Sequence, residues 1–246
     1  MSFDAILRAL PPGSSVQAAG RLAHGGTDPR SVAVRLGSPR LRCASLLKPL
    51  YAWTAERGGG WAAAAEPAVV DSCNDHTRTL WLGTGPRVVL DRIADRTGVR
   101  WAPPAEERFG SVEVTADEVV TAYCALAAAG WFGDRDAQAI VTWMAEAGQD
   151  FGVRKLFPGQ IAVKCGWYGG ADETWLRTHA VTVDRLPDGT SRVICVLTAL
   201  PYLGAQERAG YRAALDGGGS VDGEHERICG EVVRALVGAT IAELGG

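Results

Sequence analysis

Lysine is nearly absent from this chain of 246 residues. Only Lys48, Lys155 and Lys164 occur among twenty-five lysines and arginines, which leaves twenty-two arginines. Arginine keeps its proton in a protein, whereas a lysine can be tuned to lose it. A sequence that prefers arginine wherever a plain positive charge will do retains each lysine for a reason. A surplus of one sign of charge is also missing. The net charge is −3, which excludes the strongly basic face of a nucleic-acid binder. No apolar run reaches the roughly 18 residues of a membrane span. The first ten residues do not read as a secretory leader, because Asp4 and Arg8 interrupt them and no basic segment precedes. Phe3, Ile6, Leu7 and Leu10 recur at helical spacing instead.

These absences place the expected compartment in the cytoplasm, with neither a membrane nor a nucleic acid as partner. Six cysteines are scattered along the chain, and without a leader they read as free thiols in a reducing compartment. Cys73 and His76 stand at a spacing seen in metal sites, but no second pair accompanies them, so no metal and no cofactor is expected.

What the chain does have is a 47% apolar composition, ample for a core. Val16 to Leu22 and Ser31 to Leu36 read as two strands around a Gly25 to Pro29 connection. A helix from about Ser45 to Ala55 ends at Gly58-Gly59-Gly60, and Trp61 to Ala65 is a helical turn closed by Pro67. Val88 to Arg96 is a helix stopped by Gly98, and Arg100 to Gly110 an irregular loop. Thr115 with Glu118 three residues on is a capping box for a helix to about Ala129. Asp134 to Ala147 is a further helix. Ile161 to Gly166 reads as a strand, and Thr178 to Leu186 and Ser191 to Leu200 as a hairpin turning at Pro187-Asp188-Gly189. A loop covers Asp216 to Gly223, and the last helix runs from about Glu224 to Leu244.

The strands thus cluster at both ends and the helices in the middle. The expected class is α+β: one domain over 1–246, with an antiparallel sheet lobe (1–43 and 155–246) flanked by the terminal helices and an inserted all-helical lobe (44–154). A ligand site between the lobes is expected.

Three short stretches carry chemistry. Ser45 and Lys48 lie three residues apart at a helix start marked by Pro49, so both side chains share one face. An amine one turn away can take the proton of a serine nucleophile. Ser72 and Asn74 form a Ser-x-Asn, and Lys164 and Gly166 a Lys-x-Gly at the end of a strand.

In this order the three motifs resemble the signature of serine β-lactamases and penicillin-binding proteins. The stretch from Thr115 to Gly166 is similar to the matching class A segment. It has a helix, Trp131-Phe132, the Trp143-Met144 helix, a leucine turn and the Lys-x-Gly strand. The resemblance spans about residues 16 to 244 and implies the β-lactamase/transpeptidase-like fold. It also implies roles. Ser45 is the acylated nucleophile and Lys48 the general base, its pKa lowered by burial and by Lys164. Ser72 relays a proton to the leaving group, Lys164 holds Ser72, and Asn74 bonds a substrate amide. The backbone N–H groups of Ser45 and of Trp167, beside Gly166, form the oxyanion hole. Arg177 and His179 are expected to face the cleft and bind an anionic group.

The departures from the family matter too. Class A enzymes carry a water-activating glutamate where this chain has Ala102, with Glu106 and Glu107 as the nearby substitutes. Lys-Cys-Gly replaces a Lys-Thr/Ser-Gly whose hydroxyl binds a substrate carboxylate, and the Cys165 thiol is a poor donor for that. Ser45 and Ser72 stand closer in sequence than in class A, which implies a trimmed helical lobe. Cys43, Cys73 and Cys165 all lie near motif residues, so a cysteine nucleophile stays open beside plain packing thiols.

The functional expectation is therefore acyl transfer through an acyl-enzyme on Ser45. A cytoplasmic hydrolase or transacylase of a small ester or amide is favoured, of the kind that builds amides in antibiotic biosynthesis, with an amine as acceptor. One alternative is a true β-lactamase opening a lactam. The other is a non-catalytic binding protein on the same fold.

Overall fold

Three strands with runs of consecutive buried residues build the centre. β1 (Ser15–Ala23), β6 (Trp175–Arg185) and β7 (Ser191–Pro201) pair with β2 (Arg30–Leu36) and β5 (Ala162–Tyr168) in a five-stranded antiparallel sheet of order β2-β1-β7-β6-β5. The computed structural model describes residues 1–23, 30–105, 108–169, 175–202, 205–217 and 221–245. The expected Gly25 to Pro29 connection lies outside the described residues. β6 and β7 pair from Trp175↔Pro201 to Arg185↔Ser191, a hairpin closed at the expected Pro187-Asp188-Gly189 turn. The fold is α+β, as expected.

The two faces of the sheet bury different partners because side chains alternate along a strand. Ile194 and Val196 of β7 face α1 (Phe3–Ala9) and the C-terminal helix α10 (Glu231–Glu243). Val193, Cys195 and Leu197 face the other way, toward α6 (Ala116–Trp131) and the middle of the chain. Gly20 of β1 shows how closely α10 lies: a Cβ there would come within 2.5 Å of Thr240 and 2.9 Å of Leu244.

The middle of the chain supplies α2 (Lys48–Thr54), α3 (Trp61–Val70), α4 (Asn74–Thr84), α5 (Pro86–Thr97), α6 and α7 (Arg135–Glu146). Every residue of α2 is buried, so this short helix is stabilised by packing from all sides rather than by propensity. The Thr115–Glu118 capping box forms in both directions, with Glu118 N donating to Thr115 Oγ1 at 3.2 Å and Thr115 N to Glu118 Oε2 at 3.0 Å. Gly98 ends α5 in the left-handed region at φ 74°, a conformation that costs glycine little.

Apart from shifts at the ends of elements, three stretches differ from expectation. Pro67 does not close a short turn but sits inside α3. The carbonyl it orphans belongs to Ala63 on the exposed side, where water can take the missing bond. A helix α8 (Ala205–Asp216) precedes the expected 216–223 loop, whose residues 218–220 lie outside the described residues. The last helix is not uniform: a short α9 (Asp222–His225) and a π-helical turn at Glu226–Gly230 lead into α10. No helix among the described residues is long and apolar enough to cross a membrane.

Candidate active site

The chain leaves β3 (Leu41–Arg42) and makes one tight turn before α2 begins. Ser45 sits in that turn, with Leu46 N donating to Cys43 O at 3.0 Å and Lys48 N to Ser45 O at 3.3 Å. The helix thus starts three residues later than expected, while Ser45 and Lys48 stay one turn apart. Ala44, just before the serine, is held at φ 50°, which costs a residue with a Cβ of order 1–3 kcal/mol. Its surroundings fix it there. Cys43 N donates to Val112 O at 2.9 Å, Ala44 N to Gly110 O at 3.0 Å and Tyr123 OH to Leu46 O at 2.6 Å.

β5 is an edge strand, and its alternation divides its residues sharply. Val163 and Cys165 point into the core under the C-terminal helices, so Cys165 offers nothing to the cleft. Gly166 faces the turn that carries Ser45 instead. A Cβ on it would lie 2.7 Å from Leu46 N, 2.8 Å from Ser45 N and 3.0 Å from Cys43 O. Only glycine allows the strand to lie this close to Ser45. Among the described residues, the Ser45 N–H has no hydrogen-bond acceptor.

α3 hands the chain directly to Ser72, itself at φ 55°. Three side chains converge there. Lys164 Nζ donates to Ser72 Oγ at 2.8 Å. Lys48 Nζ donates to Ser72 Oγ at 3.3 Å, to Asn74 Oδ1 at 2.8 Å and, in a short contact, to the Ser72 carbonyl. Two lysine Nζ groups thus donate to both lone pairs of the Ser72 hydroxyl, and its own proton is left to donate elsewhere. Ser45 Oγ has no hydrogen-bond partner among the described residues. In this state Lys48 is parked on Ser72 and Asn74, and it must swing toward Ser45 to act on it.

Both lysines are buried. Burial, and then the charge of Lys164, lowers the Lys48 pKa to about 7, and burial lowers that of Lys164 to about 8. An amine with a pKa near 7 is half unprotonated at neutral pH, which is what a general base requires. Lys155, the third lysine, is exposed.

A cavity of about 650 Å³ opens over Ser45, lined also by Ser72, Asn74, Trp167, Tyr168 and Arg177. His179 does not reach it. It is buried, with Nδ1 accepting from Thr198 N at 3.1 Å and Nε2 donating to Arg42 O at 2.8 Å, and so ties β6 to β3. Burial lowers its pKa to about 4 and keeps it neutral. Ala102 lines a neighbouring hollow with Arg40 and Arg100, which shares Arg42 and Ser111 with the Ser45 cleft. Glu106 and Glu107 lie outside the described residues. Asp71 is the one carboxylate among the described residues lining the cleft, and the sequence reading missed it. Its position next to the Ser-x-Asn was the available signal.

Cys43 is buried at the base of the turn, its thiol near Tyr51 OH and Phe109 O, and burial pushes its pKa up to about 12. Burial pushes Cys165 to about 12 as well. Neither is poised as a nucleophile. Cys73 differs: it is partly exposed, with Sγ 3.0 Å from His76 Nδ1. Among the described residues no cluster of His, Cys, Asp and Glu could hold a metal ion.

This arrangement is found on a known fold. The structure superimposes on the TLA-1 extended-spectrum β-lactamase with a TM-score of 0.68 at 12% identity, over 99% of this chain and 98% of that one. The chain has the serine β-lactamase fold. A class A β-lactamase from Mycobacterium abscessus gives 0.65 at 14% identity, over 99% and 98% of the two chains. PBP-A, solved as an acyl-enzyme with penicillin G, gives 0.65 at 13% identity over 98% and 94%. No family model and no curated protein matches the sequence. At such identities the likeness is one of fold, and the β-lactamase-like fold can carry unrelated chemistry on altered sites.

Proposed function

We propose that this protein is a serine acyl-transfer enzyme that works through an acyl-enzyme on Ser45. The observation that carries the reading is the bridge at Ser72, whose hydroxyl binds Lys48 and Lys164 together beside Ser45. Lys48, neutral in half of the molecules near pH 7, turns from Ser72 to take the Ser45 proton as the oxygen attacks a carbonyl. The oxyanion forms against the N–H groups of Ser45 and Trp167, each such donor typically worth about 3 kcal/mol of barrier. Ser72 passes its free proton to the leaving group and is resupplied through the lysines. Asn74 releases Lys48 and bonds the substrate amide. Arg177, at the mouth, holds an anionic group.

The acyl-enzyme is then resolved by water or by an amine. The class A water activator is replaced by Ala102, which supports a slow hydrolysis that an amine can intercept. A cytoplasmic hydrolase or transacylase of a small ester or amide, serving the assembly of an antibiotic or a similar product, fits this best. Six free cysteines support the reducing compartment. The second reading is a true β-lactamase, favoured by the β-lactamases among the neighbouring structures. A binding protein without catalysis is the third, and the tuned pKa of Lys48 argues against it.

Covalent labelling tests the proposal. A fluorophosphonate or a fluorescent penicillin should add one mass at Ser45, and Ser45→Ala should abolish the adduct. The trapped acyl-enzyme, offered water with and without an added amine, then separates hydrolysis from transfer. No adduct with either probe would leave only the binding reading.

A further inference from the structure

The face of β5 and β6 turned away from the cleft carries a second polar cluster, which the reaction above does not use. Side chains alternate along a strand, so Thr178 of β6 points away from the cleft while Arg177 beside it lines the cleft. Thr178 pairs with Trp167 of β5, whose ring packs behind the strand, edge to face on Phe151 at 5.5 Å. Thr178 Oγ1 lies 2.8 Å from His225 Nδ1. His225 ends α9, just before the π-helical turn, a rare geometry that recurs at functional sites. Its Nε2 lies 3.2 Å from the Tyr211 hydroxyl. That hydroxyl donates to Gly169 O at 2.9 Å, one residue past the end of β5. Thr178, His225 and Tyr211 are all buried.

The protons along this chain of bonds are set from one end. Tyr211 gives its only hydroxyl proton to Gly169 O, so its oxygen accepts from His225 Nε2–H. Nδ1 is then the bare nitrogen and accepts from the Thr178 hydroxyl. Filling a core requires only apolar side chains. A buried polar chain costs free energy unless its members are satisfied, and once satisfied it fixes one geometry. Here it ties both strands at the same level, at Gly169 beyond β5 and at Thr178 across from Trp167. The seating is close. A Cβ on Gly169 would meet the Leu176 side chain at 2.5 Å and the Tyr211 ring and hydroxyl at 3.0 Å. Tyr211 is also the one buried residue among the described side chains of α8, so the helix docks at this point.

We infer that Tyr211, backed by His225, is a positioning residue for the Ser45 site, clamping the end of β5 so that the Trp167 N–H stays aimed at the oxyanion. The reaction it serves rests on the acyl-transfer reading above, but the clamp rests on the hydrogen bonds alone. Trp167 lies between Gly166, seated against the Ser45 turn, and Gly169, seated on Tyr211. Tyr211 stands behind the sheet and acts through this short run of backbone. Without its hydroxyl, Gly169 O and His225 Nε2 lose their partner and the strand end loses its outer tie.

The test uses Tyr211→Phe in the full chain, which keeps the ring and removes the hydroxyl. With 4-nitrophenyl acetate as the acylating probe, the limiting rate at Ser45 should fall about tenfold, short of the roughly hundredfold of a 1 Å misplacement, while the half-saturating concentration stays the same. The acid limb near pH 7 should not move, because Lys48 is untouched. His225→Gln is the second variant and should lower the limiting rate in the same direction. Ile93→Val, a buried change on α5, is the control for lost stability and should leave the rate unchanged. An unchanged limiting rate in Tyr211→Phe, or an equal fall in Ile93→Val, overturns the inference. Hydrogen exchange is read alongside, since it requires no chemistry at Ser45. Amides over residues 164–169 should exchange faster in Tyr211→Phe than in the wild type, and equal exchange sinks the clamp. Faster exchange in a protein whose Ser45 takes up no acyl group would keep the clamp and discard acyl transfer.

Discussion

Adding one methyl group at Gly166 should disable the protein with little harm to its fold. The added Cβ would meet three backbone atoms, Leu46 N at 2.7 Å, Ser45 N at 2.8 Å and Cys43 O at 3.0 Å. Ordinary contact begins near 3.4 Å, so β5 and the Ser45 turn must separate by about 0.7 Å. No side chain can rotate away to relieve this. Overpacking of this kind costs about 1–3 kcal/mol. For a chain of this length that lowers the melting temperature by roughly 5 °C. The catalytic cost is larger, because a misplacement near 1 Å is worth about 10²-fold in rate. Gly166→Ala should therefore remain folded at 25 °C and label at Ser45 about a hundredfold more slowly with a fluorophosphonate. Gly159→Ala is the control, since a Cβ there meets nothing within 4 Å. Equal labelling rates for wild type and Gly166→Ala would refute the claim that β5 and Ser45 form one site.

The remaining expectations concern ionisation. Acylation of Ser45 should fall about tenfold per pH unit below pH 7, because protonated Lys48 cannot act as a base, and level off above it. Lys164→Met removes the like charge that helps hold Lys48 down, so the limb should move to higher pH, and an unmoved limb would separate the two lysines. His179 and His225 are buried and neutral, with pKa values lowered by burial to about 4 and about 3. The unfolded chain binds more protons than the fold between those values and about 6.5. Stability is therefore full above pH 6.5 and is lost as the pH falls, by about 3 kcal/mol at pH 5.5 for the two together, read as a drop in urea midpoint. Cys73 should be the first cysteine alkylated by iodoacetamide, since its bonds to His76 lower its pKa while Cys43, Cys165, Cys195 and Cys229 are buried. His76→Ala should slow that reaction, and equal labelling of Cys124 would count against it.

Much of the fold was legible because local signals and global topology agree. Thr115 and Glu118 mark a helix start in any context, and the Pro187-Asp188-Gly189 turn joins two strands, the second an apolar run buried on both faces. Pro67 misled because a proline is read as a stop, while the helix around it loses only a bond that solvent replaces at Ala63. Helix α8 was missed because Ala205–Asp216 follows no strong cap and its apolar stripe is interrupted by Arg208 and Arg212. In the site, the motif side chains Ser45, Lys48, Ser72, Asn74 and Lys164 are all brought to one place. The sequence could not tell that Lys48 rests on Ser72 rather than on Ser45, because a spacing of three fixes a shared face and not a rotamer. Nor could it tell that His179 is a tie between strands, since strand alternation places it and Arg177 on the same side. Only the closing of β3 over β6 buries one of the two.

The scarcity of lysine and the gathering of arginine are two halves of one arrangement. In the proposed reaction Lys48 must give up its proton near neutral pH, and burial beside Lys164 allows it. The arginines that line the cleft, Arg42, Arg78, Arg108 and Arg177, keep their protons throughout that range. Had the rim been built of lysines, each added amine would have competed for protons in the same pH range as partly desolvated neighbours. Had the floor been built of arginines, no side chain there could have taken the Ser45 proton. The charge of the rim is thus independent of pH over the range in which the floor titrates. Between about pH 6 and pH 8 the arginines therefore keep their charge while Lys48 loses its proton, and acylation of Ser45 should rise through that range.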